Sequence, residues 1–522
     1  MDNSDAMSPE PHLDDEKNKK PDFDLESPIE AEDHGADVQP PSYTPPYSAF
    51  AGRTRATIMI AACSSSAVSP FSTSIYYPAV PALSQKLGVP VTLINLTISS
   101  YQILQGLAPS FTAAFSETYG RRPAYLLGFI VWLGANLGLA LQDNYVALLV
   151  LRCLQSCGSS GSLALAGAVC ADLAPRSQRG RYTGYTTIGV VFGSSMAPVV
   201  GGLLSYFLGP QSIFWFLVIF SGVLCIVVAV IFPETGRSII GNGSVPPSKW
   251  NRSLVQVIRP VPGPGEVETI AKKKGGLNPL TALLLLRDPA NFLLALYVGI
   301  LYSGSASVTS ILASQLARRY HFNEVQTGLC YIPLGVGAMT SRYTMANLID
   351  WRFKREAGKQ GLSVEKNKQQ DISKFNIEMA RLPLCLPVVF ASCCCFITYG
   401  WVMEYHTPLA VIIIVLFLMG NITTSPMIPM AILMVDLNPE NTASASASLN
   451  LVRMLMSAGW VAAYTPLIDA IGIGWTCTMT AGIFVLFSPC VLVVMRHGYR
   501  WRTEKAEKSK GQEESAEQAE KV

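Results

Sequence analysis

Residues 181–208 read RYTGYTTIGVVFGSSMAPVVGGLLSYFL. After Arg181 the stretch carries no charge, and its length exceeds the roughly 20 residues of helix that cross a bilayer. Gly184, Gly193, Ala197, Gly201 and Gly202 are small, which lets neighbouring helices approach closely. Pro198 frees a main-chain carbonyl and permits a bend. The segment therefore reads as a closely packed membrane helix with a flexible point.

Further apolar runs lie on either side of it. In chain order the expected spans are 56–78, 91–114, 122–142, 146–171, 181–207 and 212–232, then 290–315, 325–349, 382–403, 408–434, 442–468 and 473–495. Composition agrees: 50% of the 522 residues are hydrophobic and 14% charged, against roughly a quarter charged in soluble domains. The fold class expected is an all-α polytopic membrane protein of about twelve transmembrane helices in two six-helix bundles around a midplane site.

The charges crowd into the ends and a few loops. Loops after even-numbered spans hold Arg121, Arg122, Arg176, Arg179, Arg181, Lys249, Arg252, Lys272, Lys273, Lys274, Arg352, Lys354, Arg355 and Lys359. Loops after odd-numbered spans hold little beyond Lys86, Arg318 and Arg319. The positive-inside rule then places the even-numbered side and both termini in the cytoplasm. Residues 1–52 read as a disordered cytoplasmic tail, 53–232 and 290–495 as the two bundles, 233–289 as a cytoplasmic linker and 496–522 as a second tail. No cleavable signal peptide is read at the start of the chain. Pro40, Pro41 and Tyr43 match the PPxY pattern of WW-domain ligands, such as those of ubiquitin ligases.

Several function classes are disfavoured. A net charge of +3, scattered along the chain, gives no nucleic-acid footprint. The 12 cysteines fall mostly within apolar runs without CxxC spacing, and the five histidines are dispersed, so no metal or cofactor is expected. No nucleophile elbow, paired carboxylates or phosphate-binding loop points to an enzyme or to a nucleotide-driven pump.

Polar residues inside the spans are the functional candidates, because a charge in the bilayer is expensive. They include Arg152 with Gln155, and Arg342, Arg453, Asn450 and Asn421, with Gln102, Gln105 and Tyr302 as further cavity residues. Arg152 could also snorkel or pair structurally, and the amides could serve as ordinary interhelical hydrogen bonds. Arginine's planar fork suits carboxylates, so an anionic small molecule leads among substrates. At the cytoplasmic face, Glu117, Gly120, Arg121 and Arg122 form a tight basic turn. Glu117, Arg121 and Asp172 are expected to form a charge latch there, with Asp350 as a further gate residue. No carboxylate falls near a predicted midpoint. Coupling then runs through an inward-reaching terminal acid, through arginine and water, or without protons.

These motifs resemble the major facilitator superfamily, and within it the twelve-span drug:proton antiporters. Phe115–Pro123 resembles the loop G-x-x-x-D-x-x-G-R-R, with Ala113 and Glu117 replacing the glycine and the aspartate. Leu148-x-x-x-Arg152-x-x-Gln155 resembles the span-four motif, whose arginine is assigned to proton transfer or substrate handling. Gly184 to Gly202 resembles G-x8-G-x3-G-P-x2-G-G, with Ala197 in place of one glycine. Pro233-Glu234-Thr235-Gly236-Arg237 resembles the P-E-T-x-R close of the first bundle. Asp350-Trp351-Arg352, Phe375 to Leu382 and Asn450 to Arg453 resemble fungal members, nearest the citrate exporters and quinidine-resistance proteins. The resemblance implies proton-linked export of a small organic compound across the plasma membrane, such as an organic acid, a secondary metabolite or a drug. An uptake carrier or uniporter for an organic anion and a non-transporting membrane sensor are the alternatives.

Overall fold

The computed structural model describes residues 48, 50, 52–174, 179–241, 243, 245, 247–258, 281–359, 376–438 and 442–520. The principal helices are α1 (Gly52–Ser74), α2 (Val91–Tyr119), α3 (Arg121–Leu141), α4 (Tyr145–Leu173), α5 (Arg179–Leu208) and α6 (Ser212–Val230). They continue as α7 (Pro289–Tyr320), α8 (Tyr331–Lys359), α9 (Cys385–Glu404), α10 (Leu409–Thr424), α11 (Thr442–Phe487) and α12 (Pro489–Glu520). No strand occurs among the described residues.

Local sequence sets the helix ends. Asn144 caps α4 by accepting from the Val146 amide at 2.7 Å. Asp288 caps α7 with Pro289 at its first position. Gly120, at φ 114°, separates α2 from α3, and Gly472, at φ 82°, breaks α11. The expected span 408–434 is two helices, α10 and Met427–Leu437, parted at Ser425 and Pro426.

The burial pattern is that of a protein in lipid. Serines 65, 66, 69 and 72 of α1 and serines 156, 159, 160 and 162 of α4 are buried. Ile219, Ile226, Phe207 and Leu486 are exposed. With no aqueous exterior to solvate them, polar groups turn inward and apolar ones face out. Nine stretches among the described residues are long and apolar enough to cross a membrane. Against the twelve expected, α2 and α8 fall outside this set, carrying Gln102, Gln105 and Arg342 between them. A single stretch, Ser444–Glu504, runs for 61 residues through the break at Gly472.

Helices α1–α6 pack on one another, as do α7–α12, and the two sets meet along two seams. In one, α2 lies against α11. Asn95 Nδ2 donates to Thr465 Oγ1 at 2.8 Å, Ser457 Oγ to Gln102 Oε1 at 3.0 Å, and Asn450 Nδ2 to the Gln105 carbonyl at 3.2 Å. In the other, α5 lies against the short helix Glu324–Leu329 and α8. Both run toward the end where Lys86 pairs with Asp143, away from the turn between α2 and α3.

Candidate functional site

Arg152 is completely buried on α4. Its guanidinium lies 4.2 Å from the ring centre of Tyr76 and 4.4 Å from that of Tyr101. These cation–π contacts supply negative potential without a counter-ion. One terminal nitrogen donates to Gln155 Oε1 at 2.6 Å, and Gln155 Nε2 donates to Asn136 Oδ1 at 2.5 Å. The rings are themselves fixed: Tyr76 hydroxyl meets Thr97 Oγ1 at 3.0 Å, and Tyr101 hydroxyl meets Ser159 Oγ at 2.7 Å. Arg152 Nε and its other terminal nitrogen have no partner among the described residues. The guanidinium is held inside the protein and does not snorkel, and its contacts with Gln155 and two tyrosines are also those of the structural pairing that the sequence left open.

A second cationic centre lies at the seam. Arg453 on α11 donates to Asn450 Oδ1 at 2.8 Å and sits 4.7 Å from the Tyr302 ring centre. Its Nε is buried and has no partner among the described residues. Arg342 on α8 likewise has a buried terminal nitrogen without a partner among the described residues. No carboxylate among the described residues pairs with Arg152, Arg342 or Arg453. Tyr77, next to Tyr76 in the chain, stacks on Tyr331 with ring centres 6.2 Å apart.

Asn421 donates to Thr340 Oγ1 at 2.8 Å, binding α10 to α8. Gln105 Nε2 donates to Ser69 Oγ at 2.9 Å, binding α2 to α1. Both make the interhelical bonds that were the plainer reading of buried amides.

The basic turn differs from expectation in its acid. Arg121 Nε meets Asp172 Oδ2 at 3.1 Å, as expected. Glu117, however, makes no ion pair among the described residues. Glu234 takes its place: its carboxylate accepts from the amides of Arg121 at 2.8 Å, Arg122 at 3.2 Å, Thr235 at 3.0 Å and Gly236 at 2.8 Å. A carboxylate on the first amides of α3 satisfies orphan donors and complements the helix dipole. A Cβ at Gly120 would collide with that carboxylate. Arg122 donates to the carbonyls of Ala229 at 2.8 Å and Trp250 at 3.1 Å, so it fastens α3 to the end of α6 and to the chain beyond it. Arg237 Nε donates to the Asp172 carbonyl at 3.0 Å. Asp350 sits on α8, with its side chain outside the described residues, and Pro40, Pro41 and Tyr43 lie outside them altogether.

Along α5 the small residues divide between two neighbours. A Cβ on Gly201 would strike the Ile75 carbonyl of the chain following α1, and one on Gly193 would lie 2.7 Å from the Ala67 carbonyl. Gly202 faces the Glu324 main chain across the seam, and a Cβ on Gly328 would lie 2.7 Å from the Pro198 carbonyl. Ala197 is fully buried. Gly184, by contrast, would meet nothing within 4 Å.

Sequence reasoning missed Tyr76, Tyr101 and Asn136 around Arg152, and Glu234 in the turn. Glu234 carried a signal in its motif but no assigned partner. The aromatic neighbours carried the general signal that a buried arginine without an acid seeks ring faces.

The sequence profile described as Major Facilitator Superfamily matches residues 62–461. The chain is 49% identical over 458 residues to "MFS-type transporter clz19" of Cochliobolus lunatus, covering 88% of this chain and 87% of that one. It is 28% identical over 513 residues to "Multidrug transporter AQR1" of Candida glabrata, covering 95% and 86%. Among solved structures it resembles the human organic anion transporter MFSD10 (TETRAN), with a TM-score of 0.53 and 16% identity over 84% of this chain and 99% of that one. That last likeness concerns the fold alone.

Proposed function

The chain belongs to the Major Facilitator Superfamily, and from that premise we propose that it is a secondary active exporter of a small acidic organic compound. It is a multi-pass membrane protein; the substrate, the direction and the coupling are our reading. The observation that carries the reading is Arg453, held by Asn450 where the two helix sets meet, with a buried Nε and no carboxylate paired with it among the described residues. A buried cation without an internal partner favours an anionic ligand, and the guanidinium fork suits a carboxylate. The names of the relatives support membrane transport and, for one of them, multidrug efflux.

Alternating access gives the mechanism. The helices 53–232 and 290–495 act as two bundles, and one end is sealed by the α2–α11 and α5–α8 seams. Positive-inside loops assign the turn with Arg121 and Arg122, and both termini, to the cytoplasm. The sealed end then faces outward, and the substrate enters from the cytoplasm. Bound acid neutralises Arg453, the seams part, and the acid leaves on the far side. Arg152, shut behind its tyrosines, responds to that movement without touching the cargo. Protons are the coupling ion we assign, and the plasma membrane is the site of action.

Purified protein in liposomes tests this reading through efflux of a radiolabelled aromatic acid, with and without an imposed pH gradient. Export accelerated by an inward proton gradient is expected. Equal flux in both directions, indifferent to the gradient, would replace the exporter by a uniporter.

A further inference from the structure

The chain beyond α6 turns its apolar residues outward. It forms a single 3-10 turn, Lys249–Asn251, and a short helix, Leu254–Ile258. Ser253 and Gln256 start that helix reciprocally: the Gln256 amide donates to Ser253 Oγ at 3.3 Å, and the Ser253 amide donates to Gln256 Oε1 at 3.1 Å. Asn251 and Ser253 are buried, whereas Trp250 is 89% exposed and Leu254, Val255, Val257 and Ile258 are exposed as well. Successive helical residues are about 100° apart, so those four aliphatic side chains share one side and Gln256 lies on the other. Polar groups inward and apolar groups outward is the pattern of the spans themselves, and it suits a surface that meets lipid.

Its position fits the same reading. One terminal nitrogen of Arg122 donates to the Ala229 carbonyl in the last turn of α6, and the other donates to the Trp250 carbonyl. A single guanidinium holds both only where the two stretches of main chain lie side by side. Asn251 Nδ2 donates to the Tyr119 carbonyl at the end of α2 at 3.1 Å, and helix Leu254–Ile258 packs against α6. The exposed side thus continues the outer surface of α6, where Ile219, Val223 and Ile226 are exposed, at the level where the spans end. That level is where tryptophan settles in a bilayer. Between Glu234 and Glu266 the sequence carries Arg237, Lys249, Arg252 and Arg259 and no acid, and basic residues at a membrane surface favour anionic headgroups. We propose that residues 249–258 are an interfacial anchor, laid in the headgroup region of the leaflet on the side of the α2–α3 turn. Trp250 and the apolar side of the short helix enter the upper acyl chains, and the basic residues meet anionic lipid phosphates. Through Arg122 the same segment ties the start of α3 to that leaflet, whatever the cargo.

Full-length protein in lipid nanodiscs tests this, with Ile258 or Leu254 replaced, one at a time, by an environment-sensitive fluorescent amino acid and the natural cysteines kept. Both sites are exposed, so each variant should melt as the wild type does, and either one alone reports on the segment. Quenching by a nitroxide carried near the lipid headgroup is compared with quenching by iodide in the water. Clear quenching by the lipid nitroxide is expected, with iodide quenching at least twofold below that of the free fluorescent amino acid. Adding phosphatidylserine to phosphatidylcholine discs should strengthen the lipid quenching, and high salt should remove that gain. Iodide quenching equal to that of the free amino acid would place the segment in water and overturn the anchor. Protection from both quenchers would mean that protein covers it, a second copy or another partner, and would overturn it equally. Lipid quenching indifferent to phosphatidylserine and to salt would overturn the assignment to anionic headgroups.

Discussion

Asn450 joins Arg453 to the seam: its Oδ1 accepts from the guanidinium at 2.8 Å while its Nδ2 donates to the Gln105 carbonyl of α2 at 3.2 Å. One side chain thus orients the cation and bridges the two helix sets. Parting the seam breaks the bond to Gln105 and frees Asn450, so opening and charge placement are linked. Asn450→Asp should place an internal carboxylate on Arg453 and compete with the cargo. Acid transport is expected to fall at least tenfold at unchanged expression, as measured by efflux from liposomes. Unchanged efflux would detach Arg453 from the transport path.

The seam bonds bias which end is open. A neutral hydrogen bond contributes about 0.5–1.5 kcal/mol. Removing both Ser457 Oγ and Thr465 Oγ1, as in the double variant Ser457→Ala, Thr465→Val, should therefore shift the population severalfold toward the state open at that end. A cysteine replacing Leu93 on a cysteine-free background should then react faster with a membrane-impermeant maleimide. An unchanged rate would assign the bonds to packing alone.

The glycines of α5 should separate cleanly. Gly193→Ala and Gly201→Ala drive a methyl group into the carbonyls of Ala67 and Ile75. Overpacking of this kind costs about 1–3 kcal/mol. Gly184→Ala meets nothing within 4 Å. Transport and thermal stability in detergent should drop in the first two variants and stay at the wild-type level in the third.

Glu234, and not Glu117, should hold the turn. Hydrogen bonds to a charged group contribute about 1.5–3 kcal/mol. Glu234→Gln gives up the charge on four amide bonds, and a lower melting temperature is expected. Glu117→Gln should melt as the wild type does. The reverse order would restore the latch expected from the sequence.

Arg152→Lys keeps the charge but loses the flat guanidinium that lies against two tyrosines. Efflux should fall by an order of magnitude or more, while acid affinity at Arg453 stays within about twofold. An equal loss of affinity would place Arg152 in direct contact with cargo.

Much of the fold was legible because lipid imposes a simple rule. The run 212–232 is almost wholly apolar, and helix α6 occupies Ser212–Val230. Breaks were harder to see. Span 408–434 divides at Ser425 and Pro426, and α1 ends at Ser74 before a tight turn at Tyr77–Ala79, since proline placement acts over a few residues inside an otherwise continuous apolar run. In the site, Arg152–Gln155 and Arg453–Asn450 were readable because both pairs are three residues apart on one helix face. Glu234 was not, because 113 residues separate it from Arg121 and only the folded chain brings them together. Tyr76 and Tyr101 were hidden for the same reason, one in the turn after α1 and the other on α2, both remote in sequence from Arg152.

The most direct test of the central claim is efflux of an aromatic carboxylate and of its neutral ester from liposomes containing wild type or Arg453→Gln. The account predicts rapid acid export by the wild type, severe loss in the variant, and little ester export by either. Wild-type rates of acid export in the variant would contradict it.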